Sequence, residues 1–407
     1  MPELDLDFVR DQFPAFREPS LRGWAFFENA GGSYACRQVI DRLDQFYRRT
    51  KVQPYGPYPA SRMAGAWMDE AYERMAQWLC VGPDEVHFGP SSSQNVQVLA
   101  NAFRQIWAEG DAVIVTNQDH EANSGPWRRL ADAGIEVREW RVDEEGRLDP
   151  ARLDALLDDK VRLVAFPHAS NIVAQINPAA EICARVRAAG AVSVVDGVSF
   201  APHGLPDVEA LGADVYLFSA YKTFGPHQGV MTVRRELADR LPNQGHFFNA
   251  GDLRKKLVPA GPDHAQVAAL EGVVTYMEAL DAKHFPSSAA ADRRNARVRA
   301  LIRAAETRLL APLMAYLEGR GDARLLGPAD PAGRAPTLAL DTRRDPREVA
   351  ERLAESRVMA GAGHFYAWRL IEALGIDPRR GVLRLSFTHY ASDEEIDQLI
   401  AALDRAL

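Results

Sequence analysis

The sequence has little cysteine: three in 407 residues, Cys36, Cys80 and Cys183, with no Cys-x-x-Cys pair. That excludes a disulfide framework and a thiolate zinc site and leaves three packed thiols as the expectation. No apolar stretch is long enough to span a bilayer, and the opening residues, among them Glu3, Asp5 and Asp7, lack the basic and apolar regions of a signal peptide. A soluble, cytoplasmic protein with no membrane partner is expected. Positive charge is not in excess. With 48 Lys and Arg against 56 Asp and Glu, the net charge of −8 creates no general field for nucleic acid or anionic lipid. Internal repeats and low-complexity tracts are also missing. What remains is ordinary globular composition, 47% hydrophobic and 26% charged, over a length that favours two domains.

Between Asp111 and Arg234 short β-branched runs alternate with helical patterns: Ala112–Thr116, Ile135–Trp140, Val161–Phe166, Ala191–Val195 and Asp214–Phe218. Helix starts such as Asp149-Pro150 and Asn177-Pro178 separate them, so the rhythm predicts an α/β fold with a mostly parallel sheet covered on both faces. Beyond Ala265 the pattern changes to long amphipathic helices with two strands, Pro336–Leu340 and Val382–Phe387, and a helix over Asp345–Glu355 between them. That reads as a smaller α+β domain. Turn-forming stretches at Pro259–Pro262 and Phe285–Ser288 mark the handover, while Leu326-Gly327-Pro328 reads as a surface turn. The expected organisation is an arm over 1–25 packing with the small domain, a large domain over 26–285 and a small C-terminal domain over 286–407.

In open α/β sheets ligands collect beyond the carboxyl ends of the strands, and two polar residues follow apolar runs abruptly there: Asp196 and Lys222. A desolvated lysine can form a Schiff base with a carbonyl cofactor, and a buried carboxylate can keep a pyridine nitrogen protonated. That is the minimal kit for pyridoxal phosphate; a strand-end salt bridge between the two residues explains the same pair. Pro90-Ser-Ser-Ser-Gln94 precedes an apolar helical pattern and reads as a helix N-terminus that holds an anion, or as ordinary serine capping. His120 follows a strand by a short turn, where its ring could lie on an aromatic cofactor or cap a helix.

The ordered set Phe27-Glu-Asn-Ala-Gly-Gly32, Ser92-Ser93, Asp119-His-Glu-Ala-Asn123, Ser170-Asn171, Val195-Asp-Gly197, Ser219-Ala-Tyr-Lys-Thr-Phe-Gly-Pro226 and Arg384-Leu-Ser-Phe387 resembles the class V aminotransferases, in their cysteine-desulfurase-like branch. The resemblance implies a fold-type I enzyme that uses pyridoxal 5'-phosphate on a small amino-acid substrate, usually as a homodimer. It implies Lys222 as the Schiff-base lysine, His120 stacked on the ring, Asp196 on the pyridine nitrogen, Asn171 near the ring hydroxyl and Ser92 and Ser93 on the phosphate. Ser199, Ser219 and Tyr221 complete the implied cofactor set. Arg384 and Asn29 are the implied substrate contacts; the planar guanidinium fork suits a carboxylate, and a surface ion pair with a nearby acid is the other reading of Arg384.

Several positions depart from the branch. Its mobile-loop cysteine corresponds to the stretch Gly363-His-Phe-Tyr-Ala367, with Tyr366 in the thiol's place and no cysteine beyond Cys183. A phenol cannot accept sulfur as a persulfide, so transamination or β-elimination is expected rather than the usual desulfurase route. Ser199 and Tyr221 replace a glutamine and a histidine, and Ala260–Asp263 lacks the threonine expected to reach across a dimer. Open alternatives are desulfurase or selenocysteine-lyase chemistry without the loop cysteine, epimerisation, and a non-catalytic scaffold. His227 and His364 could touch cofactor or substrate, though lone histidines are more often packing or surface residues, and neither is taken as a site residue. Tyr55, Tyr58, Trp67 and Tyr72 could border the site or pack in the core. Gly361-Ala-Gly363 lacks a third glycine and a preceding strand, which rejects a dinucleotide fingerprint.

Overall fold

Strands buried on both faces need helices above and below, which the alternating runs supply. In the computed structural model, which describes residues 2–287 and 290–407, the large sheet comprises β1 (Val86–Gly89), β2 (Ala112–Thr116), β3 (Glu136–Trp140), β4 (Val161–Pro167), β5 (Val192–Asp196), β6 (Val215–Ser219) and β7 (Gly229–Val233). Their spatial order is β1-β7-β6-β5-β4-β2-β3. All neighbours pair in parallel except β7, which runs against both β6 and β1. The five expected strands are present, each within a residue or so of its predicted limits. β1 and β7 escape a pattern reading because one has four residues and the other follows a Gly-Pro turn at once.

Apolar side chains alternate to two cores, one face meeting Val96, Leu99 and Trp127 and the other Met75, Val273 and Tyr276. Two helices flank the strand ends that matter below: α1 (Ser92–Arg104) and α2 (Glu121–Arg128). The small sheet contains four strands rather than two: β8 (Ala323–Leu325), β9 (Thr337–Thr342), β10 (Gly361–Gly363) and β11 (Val382–Ser386), antiparallel in the order β10-β11-β9-β8. Gly361–Gly363 is thus an edge strand in its own right.

Three details adjust the expected organisation. Helix α3 (Ala291–Leu317) inserts Val298 and Ile302 into the large-sheet core and Leu309, Leu313 and Leu317 into the small-sheet core. We propose the domain limits near 25 and 285 with this helix shared, and Ser288 of the second junction lies outside the described residues. The first segment touches both units: Phe13 packs edge-on against Phe224, Tyr276 and Tyr390, while Ala25 and Phe26 pair with Val358 and Met359. Leu326-Gly327-Pro328 is not a surface turn. Leu326 is buried with Ile172, Val173 and Leu370, and a Cβ on Gly327, at φ +84°, would lie 2.0 Å from the Val173 carbonyl oxygen.

Candidate active site

Register brings the chemistry together. Asp196, the last residue of β5, pairs with Leu217 of β6, and the chain leaves Ser219 through one 3-10 turn that ends on Lys222. Both side chains line a cavity of about 460 Å³, a size that suits a small cofactor with substrate. Ser92, Ser93, His120, Asn171, Ser199, Ser219 and Tyr221 line the same cavity. Arg384 and Asn29 do not.

Asp196 is buried, and its Oδ1 accepts the Val198 N–H at 2.8 Å. Burial pushes its pKa up to about 6, against the Val198 hydrogen bond and the Lys222 charge. Burial and then the Arg384 charge push Lys222 down to about 8, against Asp196 and Glu28. Yet Asp196 and Lys222 are not an ion pair, and among the described residues neither the ammonium nor Asp196 Oδ2 has a hydrogen-bond partner. The strand-end salt bridge is therefore absent.

His120 is both cap and wall. Its Nδ1 accepts the Ala122 N–H at 3.0 Å at the start of α2, which leaves the neutral ring's proton on Nε2, and burial pushes its pKa down to about 3. At α1, Ser91 is the capping residue, accepting the Gln94 N–H at 3.1 Å. Ser92 and Ser93 are thereby left on the cavity side, with the Ser92 hydroxyl 2.5 Å from that of Ser219. This helix start closes directly on β7: a Cβ at Gly229 would lie 2.3 Å from the Ser91 carbonyl carbon. Orphan N–H groups at such a terminus favour an anion.

The loop that carries Tyr366 is pinned rather than loose. Asn171 Nδ2 donates to the Phe365 carbonyl at 2.9 Å, the Glu121 N–H to that of Tyr366 at 2.8 Å, and the Tyr366 N–H to His364 Nδ1 at 3.1 Å. Phe365 and Tyr366 both adopt left-handed backbone, φ 47° and 59°, a strain the surrounding bonds must hold. The Tyr366 ring sits at the cavity wall with its centroid 5.1 Å from that of His120. No cysteine lines the cavity.

Arg384 and Asn29 are held elsewhere. Arg384, buried in β11, donates through Nη2 to Glu28 Oε1 at 2.9 Å, and the Phe365 ring covers its guanidinium at 3.7 Å. Asn29 accepts the Tyr390 hydroxyl at 2.5 Å. The aromatic residues near the N-terminus do not border the cavity: Tyr55 and Tyr72 line a separate pocket with Arg254, Trp67 packs near Phe46, and Tyr58 is exposed. Sequence reasoning missed two wall residues. His227 stacks flat on Tyr221, centroids 4.7 Å apart at 5°, and the Gly225-Pro226 turn before it was the available signal. Asp119, adjacent to His120, is buried with Oδ1 unpartnered, and burial plus the Asp196 charge hold its pKa well above the carboxylate range.

Comparison with known proteins gives a consistent result. The aminotransferase class-V profile matches residues 25–399. An aminotransferase-like protein of Gibberella zeae is 33% identical over 99% of this chain and 98% of its own. A cysteine desulfurase of Pectobacterium atrosepticum is 28% identical over 98% of this chain and 97% of its own. Among solved structures, the apo cysteine desulfurase of Thermococcus onnurineus superposes with a TM-score of 0.87 at 22% identity, over 100% of this chain and 99% of that one. A cysteine desulfurase of Escherichia coli gives 0.84 at 24%, over 99% and 98%. The fold is therefore fold-type I, and the chain belongs to the class-V aminotransferase family, whose members are pyridoxal-phosphate enzymes.

Proposed function

Starting from that membership, we propose that the chain holds pyridoxal 5'-phosphate in the cavity and acts on the α- or β-carbon of an amino acid, by transamination or β-elimination. The observation that carries the reading is that the Lys222 amine and Asp196 Oδ2 line one cavity without pairing with each other or with any described residue. The donor set fits the cofactor: a carboxylate with a free oxygen suits a pyridinium N–H, and a helix start lined by the hydroxyls of Ser92, which bonds to Ser219, and Ser93 suits a phosphate. When bound, the group supplies an electron sink for a carbanion at the substrate's α-carbon.

In this reading Ser92, Ser93 and the α1 N–H groups take the phosphate, joined by Ser199 and Ser219. His120 would hold the ring, with Nε2–H available, Tyr221, braced by His227, would line its pocket, and Asn171 would serve the ring hydroxyl with the amide atoms that Phe365 leaves free. Asp196, at about 6, is ionised at neutral pH and holds the ring nitrogen's proton. Lys222, at about 8, keeps a neutral fraction that can move a proton at the α-carbon. Arg384 and Asn29 take the substrate carboxylate. Sulfur transfer to a loop thiol is left out because Tyr366 stands where the thiol would be. The desulfurase relatives favour a second reading, elimination at the β-carbon of cysteine or selenocysteine without a protein thiol.

A homodimer belongs to the same proposal: Phe247 and Phe248 are 87% and 70% exposed, and the flanking His246 and Asn249 line a pocket with Pro259–Pro262. Sedimentation should give twice the chain mass. No helix among the described residues is long and apolar enough to cross a membrane; the proposed location is cytoplasmic. The purified protein should be yellow, and borohydride followed by peptide mass analysis should find the cofactor on Lys222. An amino-acid panel then separates the routes: a keto acid with amination of the cofactor means transamination, and pyruvate with ammonia means elimination. Colourless protein that ignores added pyridoxal phosphate would sink the reading.

A further inference from the structure

We propose that Glu28 is a resident carboxylate that occupies the Arg384 guanidinium until the carboxylate of an amino-acid substrate replaces it, which makes Glu28 a specificity-determining residue. The inference rests on reading Arg384 as the substrate's carboxylate partner. The pair has a shaped seat. Glu28 Oε1 accepts from Arg384 Nη2 at 2.9 Å, and two glycines leave room for its carboxylate: a Cβ on Gly31 would lie 2.7 Å from Oε1 and one on Gly361 2.6 Å from Oε2. Gly361 is the residue opposite Arg384 in the β10–β11 ladder, so the glycine of this edge strand opens the space. Phe365, fixed through its carbonyl by Asn171, covers the guanidinium face.

The pair is also incomplete. Arg384 Nε and Glu28 Oε2 are both buried without a hydrogen-bond partner among the described residues. A permanent buried ion pair normally satisfies its remaining polar atoms, because each one left bare keeps the full cost of its removal from water. A guanidinium offers carboxylates two two-pronged edges, Nε with Nη2 and Nη1 with Nη2. The first is closed by the burial of Nε, and Glu28 holds the nitrogen common to both. An arriving carboxylate must displace Glu28 or lie against it, and two carboxylates in contact repel. The exchange happens beside the reacting amine, since the charges of Arg384 and Glu28 both act on Lys222 in opposite directions.

The test titrates the cofactor-loaded enzyme with propionate, a carboxylate that has no α-amine to react, and reads the dissociation constant by calorimetry. Glu28→Gln should bind propionate about tenfold more tightly than the wild type, Arg384→Met should not bind it measurably, and the double variant should gain nothing from the glutamine. Unchanged or weaker binding by Glu28→Gln, with binding lost in Arg384→Met, overturns the exchange and leaves Arg384 as the carboxylate partner. Wild-type binding by Arg384→Met overturns the role of Arg384 itself. Should the glutamine variant fail to fold, Glu28→Asp, which withdraws the carboxylate by one methylene, must also bind more tightly for the inference to stand.

Discussion

Lys222 and Arg384 are two desolvated cations on different sheets, and the chain treats them in opposite ways. Lys222 follows the end of a parallel strand, lowered to about 8 and left without a protein partner. Arg384 sits mid-strand in an antiparallel sheet, paired with Glu28 and covered by Phe365. A cation left unpaired at a strand end has unspent reactivity, and burial can tune it towards the neutral form. A guanidinium stays charged wherever it is placed, so it can only be controlled by what occupies it.

The sharpest break of that contrast is Lys222→Ala. It removes the unpaired amine of the cavity, and kcat/KM for the preferred amino acid should fall by about a thousandfold or more, as expected for a group that forms the covalent link and moves the proton. Asp196→Asn keeps the shape of the site but cannot offer a negative oxygen, so we expect a loss of about a hundredfold in kcat with cofactor still retained, measured by absorbance and turnover. Gly229→Ala tests the scaffold beneath the unpaired end: its Cβ would collide with the Ser91 backbone, and chemical denaturation should show a loss of about 1–3 kcal/mol together with weaker cofactor retention.

The smallest effect is a pH dependence. In the cofactor-free protein the folded state releases the Lys222 proton near 8, whereas the unfolded chain keeps it until the ordinary 10.5. The unfolded state therefore binds more protons over that window, so stability rises with pH across it. Melting curves of wild type and Lys222→Met should converge as the pH climbs from 8 to 10.5. Parallel curves would mean that the amine is not desolvated in solution.

The unequal legibility of the two cations follows from the contrast. Asp196 and Lys222 could be found because an apolar run that ends in a charge is visible along the chain, and the parallel-sheet rule says where such ends point. Ser92, Ser93 and His120 were visible as helix-start chemistry, although the capping itself fell to Ser91. Glu28 offered no such cue: it sits 356 positions from Arg384, and its seat depends on Gly361, in a stretch with no strand signature. His227 was missed for the same reason, since a flat stack on Tyr221 requires the turn at Gly225-Pro226 to fold first.

By itself the sequence determined the parallel sheet, the strand-end pair and the missing loop thiol, because hydrophobic period and residue type are local properties read one after another. Only the tertiary structure decided that Asp196 and Lys222 remain apart, that Arg384 is already occupied and that Tyr366 is pinned at the wall. Those outcomes are distances between groups far apart in the chain, set by register and packing, and burial at such distances decides which charges are paired and which are left to react.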